Sequence, residues 1–177
     1  GRLYRDQSQN LTRAFAAQAL GRIGSKDDIR TLENILTARR GVDHNVKRSA
    51  AIGLGLLGRL VSGEDRVKVA QVLLSKTDKS KDKSTKNFGI IALGRIAGQN
   101  DASEQVRKTA VGVLLDQFKT GGRSTERPYA ALALGLVAFE SSSDTPKPKA
   151  LKYEIAEALR RELKGFKGDG VPLGAIC

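Results

Sequence analysis

Four segments of this chain share one pattern built around a Leu-Gly step, with its glycine at Gly21, Gly55, Gly94 and Gly135. The four segments are Phe15-Ala-Ala-Gln-Ala-Leu20-Gly21-Arg-Ile23, Ser49-Ala-Ala-Ile-Gly-Leu54-Gly55-Leu-Leu57, Phe88-Gly-Ile-Ile-Ala-Leu93-Gly94-Arg-Ile96 and Tyr129-Ala-Ala-Leu-Ala-Leu134-Gly135-Leu-Val137. Their glycines lie 34, 39 and 41 residues apart. A period of this length marks stacked supersecondary units, each too small to bury its own apolar surface. A large apolar residue stands five positions before the leucine in three segments; Ser49 takes that place in the other.

Between these segments lie four stretches with apolar residues at helical spacing: Asp28–Ala38, Asp65–Lys76, Glu104–Phe118 and Lys149–Leu163. Val106, Ala110, Val113 and Leu114 show the pattern, which places them on one helix face. The unit is therefore a helix pair. The Leu-Gly helices are apolar nearly all round and should be mostly buried; the intervening helices carry charge on one face and should cover the outside. Helix starts fit this phasing. Ser25-x-x-Asp28, Ser62-x-x-Asp65 and Asp101-x-x-Glu104 read as N-caps with an acid at the third helical position, and Thr145-Pro146 reads as a cap followed by proline in the first turn. A mid-helix glycine costs about 1 kcal/mol relative to alanine. Four of them at one structural position predict close backbone approach between stacked helices. Scarce aromatics, 5% with no Trp, also suit helices packed through small and aliphatic side chains better than a sheet.

These residues resemble the HEAT family, specifically the short HEAT-like repeats of the phycocyanobilin-lyase type. Ala19-Leu20-Gly21-Arg22-Ile23-Gly24 and Ala92-Leu93-Gly94-Arg95-Ile96-Ala97-Gly98 match the repeat's core, and Val46-Lys47-Arg48-Ser49-Ala50-Ala51 matches its helix start. Thr85-Lys86 and Arg127-Pro128 replace the usual Val-Arg start, and the turns are longer than in the family. The resemblance runs from about Asn10 to the end. It implies an all-α fold: an armadillo-like, right-handed α-solenoid of about four helix pairs plus a truncated terminal helix. The family serves mainly in protein binding, and no lyase residue carries over. Residues 1–177 form one domain on this reading, with 1–9 as a candidate N-terminal extension. Val171-Pro172-Leu173-Gly174-Ala175-Ile176-Cys177 is similar to Arg127-Pro128-Tyr129-Ala130-Ala131-Leu132-Ala133, and the chain begins at Gly1 without Met. The expectation is a fragment of a longer array. An export signal lost with the native N-terminus stays open, so no compartment is assigned.

The net charge of +12 is spread unevenly. The turns leading into the Leu-Gly helices, taken as 39–48, 76–86, 119–127 and 160–168, hold sixteen basic and five acidic residues. The basic ones are Arg39, Arg40, Lys47, Arg48, Lys76, Lys79, Lys81, Lys83, Lys86, Lys119, Arg123, Arg127, Arg160, Arg161, Lys164 and Lys167. One edge of a stack would thus carry +11 of the +12. Four turns about 10 Å apart would span on the order of 30 Å, matching about nine base pairs of phosphates. These residues are the candidate contacts for an anionic partner, either an acidic protein or nucleic acid bound without base readout. The bland reading is solvation: cations near helix C-termini complement the dipole, and these turns lack aromatics for base stacking.

Catalytic chemistry finds few residues to carry it. His44 is the only histidine and falls in a basic turn, Cys177 is the only cysteine, and no phosphate-loop or nucleophile motif is present. One thiol and one imidazole cannot build a zinc site, and no apolar run approaches the roughly 20 residues of a membrane span. The expectation is a non-catalytic scaffold without metal or cofactor, whose leading partner is a protein and whose alternative is nucleic acid.

Overall fold

The computed structural model describes residues 2–77, 81–120, 125–140 and 146–165. Among them are eight α-helices and no strand: α1 (Arg2–Ile23), α2 (Asp28–Thr37), α3 (His44–Leu60), α4 (Gly63–Val72), α5 (Lys83–Ala97), α6 (Glu104–Thr120), α7 (Glu126–Glu140) and α8 (Pro146–Gly165). A five-residue π-helical stretch, Leu73–Thr77, extends α4. The all-helical expectation holds. Each Leu-Gly segment lies within an odd-numbered helix and each amphipathic stretch supplies an even-numbered one. Lys79, Arg123, Thr145, Lys167 and the segment 171–177 lie outside the described residues.

The odd-numbered helices pack in series, α1 on α3, α3 on α5 and α5 on α7. The even-numbered helices flank them, α2 against α3, α6 against α5 and α7, and α8 against α7. One continuous core results. It takes Ile29, Leu32 and Leu36 from α2, Leu54 and Leu57 from α3, Leu93 and Ile96 from α5, Leu114 from α6, and Leu134 and Val137 from α7. The i, i+3, i+7 spacing of Ile29, Leu32 and Leu36 is what turns one face of α2 inward.

The odd helices meet through their smallest residues. A Cβ on Gly21 would overlap the Gly53 backbone; one on Gly55 would sit 2.5 Å from the Ala92 Cβ, and one on Gly94 2.6 Å from the Ala133 oxygen. The register repeats: Gly53, Ala92 and Ala133 each stand two positions before the Leu-Gly glycine of their own helix. Close approach therefore explains three of the four recurrent glycines. At Gly135 nothing described comes within 4 Å, α7 being the last odd helix among the described residues.

The helix starts follow the sequence reading in part. Asp28 Oδ2 accepts the Ser25 N–H at 2.7 Å, the reciprocal half of a capping box. Ser62 precedes α4 without a side-chain cap, the chain being turned there by Gly63 at φ +55°. The start of α6 differs from expectation: Ser103 Oγ accepts the Val106 N–H at 3.3 Å, which leaves Asp101 for a longer-range partner.

Candidate functional site, a basic edge and the apolar layer beside it

The N-terminal ends of α3, α5 and α7 come together at one edge, where side chains cross from one helix pair to the next. A helix start leaves N–H groups without intrahelical acceptors, and Asp43 and Asp82 supply acceptors. Asp43 Oδ1 takes the Asn45 N–H at 2.7 Å. Asp82 Oδ2 takes the Thr85 N–H at 2.8 Å and the Thr85 hydroxyl at 2.6 Å. The same Asp82 carboxylate receives a two-pronged bond from Arg48, Nε to Oδ2 and Nη2 to Oδ1, both at 2.9 Å. The Arg48 guanidinium, helped by Thr85, holds Asp82 far below the usual carboxylate range. Asp82 in turn raises Arg48.

The next joints repeat the device. Lys86 Nζ lies 3.8 Å from Glu126 Oε1, and Arg127 Nη2 lies 2.5 Å from Glu162 Oε2. Arg127 also donates from Nε to the Phe118 carbonyl at 2.9 Å and lies 5.5 Å from the Phe118 ring centroid. It thereby serves a carbonyl in the last turn of α6 as well as an acid. Arg161 pairs with Glu157 one turn away on α8, which lowers the Glu157 carboxyl and raises Arg161.

Four of the sixteen candidate contacts, Arg48, Lys86, Arg127 and Arg161, are therefore committed to acids. Arg39, Arg40, Lys76, Lys81, Lys83, Lys119, Arg160 and Lys164 are exposed, and Lys47 is half-buried. Three of the five acids counted against them as charge turn out to be structural: Asp82, Glu126 and Glu162 each bind a cation 34 to 40 residues away in sequence.

The opposite edge uses another chemistry. Arg66 is buried at 3% exposure. It donates from Nε to the Gly58 carbonyl at 2.9 Å and from Nη2 to the Val61 carbonyl at 2.6 Å, and pairs through Nη1 with Asp101. That pairing lowers the Asp101 carboxyl. Arg107 likewise donates to the Ala97 carbonyl at 3.3 Å and the Gln99 carbonyl at 2.9 Å. Both arginines close the C-terminal ends of odd helices, where carbonyls lack partners. Neither is among the sixteen cations of the basic edge. A signal was present: Arg66 and Arg107 each stand fourth in their helices, α4 and α6.

Between the edges, the odd helices keep an incompletely covered apolar layer. Ile52 and Leu56 on α3 and Phe88 and Ile91 on α5 are half-buried, while Phe15 on α1 and Leu132 on α7 are exposed. Two hollows open along α3. One, of about 420 Å³, is bordered by Arg13, Leu20, Ile35, Val42, Asp43 and Val46. The other, of about 250 Å³, lies between α3 and α5 and is bordered by Ile52, Gly55, Phe88, Ile91, Ala92 and Arg95. Among the described residues no three His, Cys, Asp or Glu side chains gather as metal ligands, and no helix is long and apolar enough to cross a membrane. No family model matches this chain, nor does any curated protein or solved structure.

Proposed function

We propose that this chain is a non-catalytic recognition module: a right-handed α-solenoid of HEAT-like helix pairs that binds a partner protein through its odd-helix layer and the adjoining turns. Serial contact of α1, α3, α5 and α7 and the repeated glycine register support the stacked arrangement. The observation that carries the binding reading is the partial exposure of Ile52, Leu56, Phe88 and Ile91 side by side on adjacent helices. Contiguous apolar surface on a soluble domain marks contact sites, and repeat arrays bind along such extended layers. The test is capture and crosslinking from the source organism's lysate with wild type and with Ile52→Glu/Ile91→Glu. A partner held by wild type and lost by a variant with unchanged helicity is expected. Capture that ignores the substitutions, or no specific partner, would overturn the reading.

A second reading is kept by the basic edge, where exposed Arg39, Arg40, Lys81, Lys83 and Lys119 have no ion pair among the described residues. Nucleic acid would bind there through phosphates, and its affinity would fall steeply with salt. Replacing Lys81, Lys83 and Lys119 by Glu should abolish such binding. If neither duplex nor single-stranded nucleic acid binds at low salt, this alternative is excluded.

A further inference from the structure

We propose that the hollow between α3 and α5 is a side-chain pocket with its own anion anchor, taking a large apolar residue of a partner protein while Arg95 binds an adjacent carboxylate. The inference rests on the protein-binding reading and names the chemistry of the partner.

The pocket is a consequence of the glycine register. Gly55 contributes no side chain and Ala92 only a methyl where α3 and α5 touch, so the seam between the helices is notched. Ile52 and Phe88 wall the notch one turn toward the helix starts, and Ile91 and Arg95 close it on the α5 side. Its volume of about 250 Å³ is below the roughly 300–1,000 Å³ of a small-molecule site. That size suits one large side chain.

Arg95 supplies the sign of the ligand. Its Nε is buried without a hydrogen-bond partner, and it has no ion pair among the described residues. The buried Nε lies out of a ligand's reach, but a guanidinium that borders the hollow presents a planar fork of donors that fits a carboxylate. The larger hollow near α1 lacks this selectivity, since Arg13 and Asp43 give it one charge of each sign. Apolar walls and a single unmatched cation define one class of guest: a phenylalanine- or leucine-like residue next to a carboxylate, as at an acidic or C-terminal peptide position.

The probe is N-acetyl-phenylalanine, which joins both features in one molecule, with its amide as control. Binding is read from the methyl resonances of Ile52 and Ile91. The acid should shift both methyls with a Kd on the order of 1 mM, and the amide should bind about tenfold more weakly. Arg95→Gln should bring the acid down to the amide's affinity, and Arg95→Lys should restore part of the preference. No shift at either methyl, or equal binding of acid and amide to wild type, would overturn the pocket. Failure here alongside partner capture that Ile52→Glu/Ile91→Glu abolishes would sink the pocket and leave the recognition layer standing. Loss of partner capture altogether, with the probe still bound, would do the reverse.

Discussion

The two edges of the helix series answer the same electrostatic problem with opposite side chains. Where α3 and α5 begin, N–H groups point outward and Asp43 and Asp82 accept from them. Where the same helices end, carbonyls point outward and Arg66 and Arg107 donate to them. At the first edge the acid is shared, because Asp82 also binds Arg48. At the second the arginine is shared, because Arg66 also binds Asp101. The start of α5 and the end of α3 thus become junctions between neighbouring pairs. The basic surplus of the first edge follows the same logic: Arg39, Arg40 and Lys119 lie at or beyond the C-terminal ends of even helices, where cations complement the dipole, and Arg127 reaches the Phe118 carbonyl near the end of α6 from the first turn of α7. A charge count alone could not separate cations that close helices from those left for a partner.

The sharpest way to break this comparison is at Arg66. Its truncation to alanine leaves the Gly58 and Val61 carbonyls without their donor and should cost about 3 kcal/mol in urea unfolding. Arg66→Lys should recover less than half, since an ammonium cannot span both carbonyls and Asp101. An effect under about 1 kcal/mol would mean that water serves those carbonyls equally well.

Asp82 comes next. Asp82→Ala removes a cap and an ion pair and should cost about 2 kcal/mol. The pH dependence has a definite sign. Because the folded carboxyl is lowered by Arg48, its stabilising contribution is complete above the unfolded value of about 4. It is lost progressively as the pH falls from there toward the folded value. Unfolding measured at stepped pH should show wild type losing stability below about pH 4 more steeply than Asp82→Ala. Parallel curves would place the stabilisation elsewhere.

Smaller effects mark the limit of the device. Lys86→Met should cost about 0.5 kcal/mol, the scale of a partly exposed pair, and that loss should shrink in high salt. Glu157→Gln, on the open face of α8, should leave the unfolding midpoint unchanged. A measurable drop there would show that surface pairing also holds this edge.

Much of the architecture was legible in the sequence because it follows from spacing. Alternating apolar and amphipathic helices come from local periodicity, and the close approach at Gly21, Gly55 and Gly94 follows from the cost of glycine within a helix. Gly135 shares the pattern, yet nothing among the described residues packs on it. The edge was less legible. Nothing local tells Arg48 from Lys47, yet one faces Asp82 34 residues on and the other does not. Arg66 is buried because of how α3 and α4 pack, which local spacing does not reveal.

The seam between α1 and α3 is built from Gly21 facing Gly53. Neither residue can be made smaller, so every replacement adds bulk and separation can change in one direction only. Leucines such as Leu54 can exchange with valine or methionine at modest cost, which gives the core many acceptable neighbours in sequence space. The seam has none. In a saturation scan scored for folding, these two positions should stand out as nearly blank columns beside a permissive core, tracing the line along which the helix pairs are joined.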